Sequence, residues 1–192
     1  MNRRELVAGV ASLGALGGGL VALRRGMPFQ GEESAESDGT DDNEADDGPI
    51  EVQTIDAPGS EAGTLAIPND GVTFVTFFSP ACHRCRSLMP HLVEATDRLA
   101  AEDGLTRVSV TTQQSPEQLR DWWAEHDGHW TLAHDDDRAL SDAYAVISHP
   151  VLLAIDADGT VRWTDEGVLE SDRIVRNVDR VLEETGGPDG DE

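Results

Sequence analysis

The chain of 192 residues is long enough for one domain of ordinary size with shorter appendages. It carries 38 acidic residues against 14 basic ones, all of them arginine, for a formal net charge of −24. Such a surface repels nucleic acid and contains no basic stripe, so the composition excludes a nucleic-acid-binding function.

Residues 1–26 form a hydrophobic segment ahead of the rest of the chain. An uncharged run spans residues 6–23, and a pair of arginines flanks it on each side. We expect a membrane anchor or an export signal, and residues 2–7 resemble a twin-arginine signal. The terminal amine and the first arginine pair favour an N-terminus inside the cell and a domain outside it. A buried core helix is the alternative interpretation.

Residues 27–49 contain nine acidic residues and no basic ones, mixed with Gly, Ser and Asn. Segments of this composition repel themselves and stay solvated. We therefore predict a disordered acidic linker that separates the hydrophobic segment from one folded domain at residues 50–185. Residues 186–192 are expected to form a flexible tail.

The folded domain begins with strand signals that lead toward the two cysteines. Short strands are predicted around residues 51–55 and 64–67, and a turn at residues 68–71 follows them. Residues 74–78 are aromatic and β-branched, which predicts a strand buried on both faces.

Both cysteines of the chain lie just beyond that strand. Apolar residues recur at helical spacing after Cys85, so we expect Cys82 at the N-terminal end of a helix and Cys85 in its first turn. A helix N-terminus favours the reactive thiolate, and His83, Arg84 and Arg86 add positive charge beside it. One turn also brings the two thiols within reach of a disulfide. The pattern indicates thiol–disulfide exchange, with a structural disulfide or half of a metal site as alternatives.

The remainder of the domain alternates between strand and helix signals. Strands are predicted at residues 107–111, 130–133, 151–155 and 161–163. Helices are predicted to begin after a capping box at Ser115, after the acidic run 135–137, and at Ser171, with Gly128 ending the first of them. This order predicts an α/β sandwich around a mixed sheet.

The stretch from residue 73 to Pro90 resembles the active-site segment of the thioredoxin superfamily, in particular its membrane-tethered, TlpA-type thiol–disulfide oxidoreductases. An aromatic strand, Cys-x-x-Cys, a basic residue and a proline five residues after the second cysteine carry the resemblance. Residues 148–160, which include an Ile-Asp-x-Asp-Gly hairpin, extend it downstream. The resemblance implies a thioredoxin fold over residues 50–185, with a central mixed β-sheet flanked by helices.

The resemblance also implies roles for individual residues. Cys82 would attack a disulfide and Cys85 would resolve the mixed disulfide, while His83 and Arg84 would stabilise the thiolate and raise the reduction potential. Two departures from the family pattern leave the direction of electron flow open. Ala81 replaces the usual tryptophan before the first cysteine, and Thr76 replaces a buried carboxylate.

Pro150 resembles the proline of this family whose peptide bond is cis and which faces the cysteines. A cis bond is inexpensive only before proline, and here it would leave the backbone of His149 free to pair with a substrate strand beside Cys82. We therefore predict that His149 and Pro150 contribute to substrate binding. A trans proline that merely begins an edge strand is the alternative.

We interpret the chain as a membrane-tethered, outward-facing thiol–disulfide oxidoreductase that acts on protein or small-molecule disulfides. It would require no organic cofactor or metal, and an unidentified redox partner would recycle it. A copper metallochaperone, in which His149 joins the two cysteines, and a peroxidase of the same fold are the alternatives. High acidity without lysine resembles the proteins of salt-loving organisms, so a halophilic archaeon is the expected source.

Overall fold

A computed structural model describes residues 48–186 of the protein. The predicted membrane segment at residues 1–26, the linker up to residue 47 and the tail from residue 187 lie outside these residues. Within residues 48–186, every helix is too short or too polar to cross a membrane.

Seven strands and four helices make up this part of the chain. The strands are β1 (Ile50–Thr54), β2 (Gly63–Ile67), β3 (Val72–Phe77), β4 (Leu105–Thr111), β5 (Thr131–His134), β6 (Val151–Ile155) and β7 (Val161–Glu166). The helices are α1 (His83–Arg98), α2 (Pro116–Glu125), α3 (Ala139–Ala143) and α4 (Ser171–Thr185). The elements confirm the predicted order of strands and helices.

The strands form one mixed sheet in the order β2-β1-β5-β4-β3-β6-β7. Strands β3, β4 and β5 run parallel at its centre, and the antiparallel β6–β7 hairpin and the antiparallel β1–β2 pair occupy its two sides. Each of the six residues of β3 is buried, as the aromatic and β-branched sequence predicts. The parallel strands point their carboxyl ends to one edge of the sheet, which is where the cysteines lie.

Helices cover both faces of the sheet. On one face Phe74 packs in a cluster with Leu88 of α1, Trp123 of α2 and Ile174 of α4. On the other face Val75 and Phe77 share a second cluster with Leu140 of α3. The alternation of side chains along β3 supplies both clusters, since successive residues point to opposite faces. The strand that leads to the cysteines is therefore held in place from two sides.

Several strand boundaries differ from the sequence prediction by one or two residues, and the end of β7 differs by three. Strand β7 continues to Glu166, because Asp165 and Glu166 stay in register with Leu152 and Val151 of β6. Helix α2 ends at Glu125 with His126 as its cap, and Gly128, which was predicted to end it, follows two residues after the cap and donates its N–H to the Trp123 carbonyl at 2.9 Å. Gly128 is also needed for packing, because a Cβ there would come within 2.3 Å of the Trp123 ring.

Candidate active site

Cys82 caps the helix that follows the central strand. Its backbone is extended, with φ −80° and ψ 119°, and the N–H of Cys85 donates a hydrogen bond to the Cys82 sulfur at 3.3 Å. An N-cap side chain normally accepts such a bond through an oxygen atom. Here the Cys82 sulfur accepts it, at the helix end where a negative charge is stabilised. The predicted placement of the two cysteines at the start of a helix is confirmed, and Pro90 lies inside the same helix.

The environment of Cys82 favours its thiolate. Burial raises the pKa of Cys82, but hydrogen bonds from the Cys85 side chain and backbone and from the Arg84 backbone, together with the Arg84 charge, lower it overall. The thiol is only half-buried, so a substrate can approach it. A low pKa combined with access is what a nucleophilic cysteine requires.

Cys85 lies in the opposite environment, although it is one helical turn away. It is 2% exposed within the apolar cluster below α1, and the N–H of Ser79 approaches its sulfur at 3.5 Å. Burial, followed by the hydrogen bond with Cys82, raises the pKa of Cys85 to about 12. The pair therefore consists of one half-buried thiol with a lowered pKa and one buried thiol with a raised pKa.

The loop before β6 approaches Cys82 from the neighbouring strand. The His149–Pro150 peptide bond is cis, which confirms the geometry predicted for it. Val151, the next residue, lies opposite Phe77 at the end of β3, and the Cys82 thiol donates to the His149 carbonyl at 3.6 Å. The imidazole of His149 is partly buried, and this burial, with the nearby Arg138 charge, lowers its pKa.

Gly167, which no sequence pattern predicted as a site residue, completes the surroundings of Arg84. Its N–H donates to the Pro150 carbonyl at 2.9 Å, and its φ is +86°. A Cβ on this residue would come within 2.2 Å of Arg84 Nη2, so the guanidinium lies directly over the glycine. The sequence gives no signal for this contact. Gly167 reaches Arg84 only because β7 continues to Glu166, and the sequence predicts that this strand ends earlier. His83, in contrast, is simply exposed at the helix start.

Comparison with known proteins places this arrangement in a family. The Redoxin family matches residues 46–182, which include both cysteines, the cis-proline and Gly167. The chain belongs to the Redoxin family.

This Redoxin is similar to several characterised relatives. Thiol-disulfide oxidoreductase YkuV from Bacillus subtilis (strain 168) is 31% identical over 118 residues, which cover 59% of this chain and 78% of the relative. The crystal structure of StoA from Bacillus subtilis matches with a TM-score of 0.59 at 18% identity, covering 67% of this chain and 95% of StoA. A secreted disulfide oxidoreductase of Mycobacterium tuberculosis matches with a TM-score of 0.55 at 17% identity, covering 66% and 94%. These structures establish the thioredoxin fold.

The copper hypothesis requires the His149 side chain to join the two cysteine sulfurs as a ligand, and the site does not show this arrangement. Within residues 48–186 no group of three or more His, Cys, Asp and Glu side chains is arranged to hold a metal ion. His149 meets Cys82 through its carbonyl oxygen, a hard ligand that does not match the soft thiolate set suited to Cu(I). The arrangement fits sulfur chemistry between the two cysteines better than ion binding.

Proposed function

We propose that this Redoxin is a TlpA-type thiol–disulfide oxidoreductase in which Cys82 is the attacking thiolate and Cys85 the resolving thiol. The observation that carries the proposal is the contrast between the two sulfurs. The half-buried Cys82 accepts the Cys85 N–H at 3.3 Å and has a lowered pKa, whereas Cys85 is buried with a pKa of about 12. The fold and the oxidoreductase relative support the same activity.

The reaction proceeds through two exchange steps. The Cys82 thiolate attacks one sulfur of a substrate disulfide, forming a mixed disulfide and releasing the other sulfur as a thiolate, which takes a proton from solvent. The Cys85 thiol then loses its proton and attacks the Cys82 sulfur, and the second substrate thiolate leaves and is protonated. Two electrons pass from the enzyme cysteines to the substrate disulfide, and the reverse sequence oxidises a substrate dithiol.

His149 and Pro150 are proposed to hold the substrate beside Cys82. Among residues 48–186 no backbone or side-chain acceptor pairs with the N–H of His149, so this group is available to an incoming extended segment. The His149 carbonyl contacts the Cys82 sulfur, and the Pro150 carbonyl already accepts the Gly167 N–H. A substrate strand can add along this loop by main-chain pairing.

The proposed cellular setting follows from the sequence outside the described residues. Residues 6–23 would anchor the protein in a membrane or direct its export, and the acidic residues 27–49 would tether the domain at residues 50–185 outside the cytoplasm. The charge of −24 without lysine supports a halophilic source. In intact cells, an added protease should remove the domain, whereas protection of the domain until lysis would place it in the cytosol.

Disulfide turnover tests the activity directly. The reduced protein should reduce a peptide disulfide, and the oxidised protein should oxidise the peptide dithiol, with both activities lost in Cys82→Ser. Faster exchange in one direction identifies the physiological role and the kind of redox partner that must recycle the pair. Stoichiometric copper after native purification, or peroxide consumption that outpaces disulfide exchange, would favour the metallochaperone or the peroxidase instead.

A further inference from the structure

Within residues 48–186, the two arginines next to the cysteines lack the acidic partners that five of the eight other arginines have. Within residues 48–186, half of the arginines lie within 4.0 Å of a carboxylate oxygen, and these are Arg98, Arg120, Arg138, Arg162 and Arg173. In the same part of the chain no carboxylate approaches Arg84 or Arg86 this closely. Two uncompensated cations on a chain with a net charge of −24 mark a local reversal of surface charge.

Both cations lie in the first turn of α1, whose N-cap is Cys82. Arg86 is exposed one helical turn beyond Cys82, and its N–H donates to the Cys82 carbonyl at 3.2 Å. Arg84 is exposed as well and extends over Gly167, whose N–H is bonded to the Pro150 carbonyl. The first turn of α1 contains no acidic residue. We call Arg84 and Arg86 the cationic rim of the site.

Carboxylates of the domain do not neutralise this rim. Glu166 precedes Gly167, but its carboxylate accepts the Ser148 hydroxyl at 3.0 Å and lies more than 4.0 Å from Arg84. Glu170 contacts the His91 ring at 3.7 Å. The rim is therefore open to a carboxylate from outside the domain.

Apolar side chains stand exposed on the two loops that meet at Pro150. Ile147, two residues before His149, is 96% exposed, and Val168, next to Gly167, is 44% exposed. Removing large aliphatic side chains from water is favourable. A peptide chain several residues long would cover both side chains while it pairs with His149. A small disulfide is too short to do so.

We propose that the cationic rim selects polypeptide substrates that carry carboxylates next to their cystine, with Arg84 and Arg86 as the residues that determine this specificity. The inference rests on the proposed function. Opposite charges raise the rate of encounter and fix the orientation of the partner, and here they offset the repulsion that the rest of this acidic protein exerts on an acidic substrate. The selection acts on the first step, the attack of Cys82 on the substrate disulfide.

Matched peptide disulfides provide the test. Three peptides of one length, whose cystine is flanked by Asp, Asn or Arg, are mixed with the reduced full-length protein at low salt, and the second-order rate of attack is measured. The Asp peptide should react about three- to tenfold faster than the Asn peptide, as expected for two exposed ion pairs, and the Arg peptide more slowly than both. At 1 M salt, where the screening length is about 3 Å, the long-range attraction is lost and the ratio should fall to what the contact ion pairs alone contribute.

Variants assign the selection to the rim. The Asp-to-Asn rate ratio should fall to about one in Arg84→Gln/Arg86→Gln and return in Arg84→Lys/Arg86→Lys. A ratio of rates is used because Arg84 also lowers the Cys82 pKa, which affects every peptide equally. The matched control is Arg176→Gln on α4, which removes one positive charge from another element and should leave the ratio unchanged.

Three results would overturn the inference. Equal rates for the Asp and Asn peptides, or a ratio that survives loss of both arginines, would remove the cationic rim as its cause. If the arginines increase the rate of attack on oxidised glutathione as much as on the Asp peptide, the assignment of polypeptide substrates is wrong. Failure with every disulfide would sink the proposed function itself, whereas equally fast exchange with all three peptides would sink only the selectivity.

Discussion

At the residue scale, one turn of helix separates two thiols whose chemistry differs. Cys82 sits at the helix start, where the Cys85 N–H and the Arg84 charge meet its sulfur, while Cys85 turns into the apolar cluster. The hydrogen bond between the two side chains acts in opposite directions on their pKa values, because donation from the Cys85 thiol stabilises the Cys82 thiolate and holds the proton on Cys85. Only Cys82 combines a lowered pKa with an accessible sulfur.

Alkylation against pH should resolve the two thiols. In the reduced protein, the rate of iodoacetamide modification at Cys82 should rise through an inflection at lower pH than that of a free cysteine, since its pKa is lowered. Cys85 should react only in strongly alkaline solution, because its pKa is raised to about 12. The variants Cys82→Ser and Cys85→Ser identify each inflection, and earlier modification of Cys85 would show that the roles are reversed.

The reduction potential should respond to Arg84. Arg84→Gln removes a charge that stabilises the thiolate of the reduced form, so the potential should fall. The fall should be at most about 20 mV, because ~30 mV corresponds to about 1.4 kcal/mol and exposed charges contribute less than that. His83→Gln is the matched control and should change the potential less; an equal or larger fall there would assign the tuning to His83.

The residues that carry sulfur chemistry could be predicted from the sequence, since spacing along one helix turn and the strand before it determine their placement. The cis geometry of the His149–Pro150 bond is likewise confirmed. Gly167 could not be predicted, because its contacts with Arg84 and Pro150 join three segments distant in the chain. No local sequence pattern predicts contacts between segments so far apart in the chain.

At the element scale, α3 depends on one buried carboxylate. Asp135 is 2% exposed and accepts the backbone N–H of Leu140 at 3.1 Å and of Ser141 at 2.8 Å, as well as the Ser141 hydroxyl at 2.6 Å. The sequence predicts an acidic cap at residues 135–137 but not which of three aspartates supplies it. The buried Asp135 supplies most of it, and the exposed Asp137 accepts the N–H of Ala139 at 3.0 Å. The chain enters the helix through Arg138 in the left-handed conformation, with φ 66°.

Asp135→Ala should lower the free energy of unfolding by about 1–3 kcal/mol, because it leaves buried N–H groups at the start of α3 without an acceptor. Chemical denaturation measures the loss. Asp136→Ala removes a neighbouring exposed aspartate and should change the free energy by less than about 0.5 kcal/mol. Equal losses in the two variants would mean that general acidity, rather than this hydrogen-bonded cap, stabilises α3.

Local signals and long-range pairing explain which elements were predictable. The α2 start was predicted to the residue, since the Ser115 and Gln118 capping box is a local pattern that the structure reproduces. The end of β7 was not, because its last residues, Asp165 and Glu166, are acidic and belong to a strand only through pairing with β6. Position in the sheet, rather than propensity, sets that boundary.

At the scale of the whole molecule, the mixed sheet flanked by helices was predictable from the order of elements, but the strand order was not. Strand β1 lies between β2 and β5 and pairs antiparallel with both. The pairing with β5 places Gln53 opposite His134, far along the chain, and no sequence motif predicts it. The net charge, in contrast, is fixed by composition alone.

Stability should therefore rise with salt. A net charge of −24 repels itself, and the screening length falls from about 10 Å at 0.1 M salt to about 3 Å at 1 M. The unfolding temperature of the full chain should increase as KCl is raised through this range. A temperature that stays constant or falls would show that the acidic surface is not adapted to high salt.

The trapping of mixed disulfides tests the central claim most directly. Each single-cysteine variant is reduced, mixed with a peptide disulfide and analysed by mass spectrometry under non-reducing conditions. Cys85→Ser should accumulate a covalent adduct of one peptide half on Cys82, because the attack proceeds and resolution does not. Cys82→Ser should accumulate almost none, since Cys85 is buried and its pKa is about 12. Equal adducts on both variants, or an adduct on Cys85 alone, would contradict the assignment of Cys82 as the attacking thiolate.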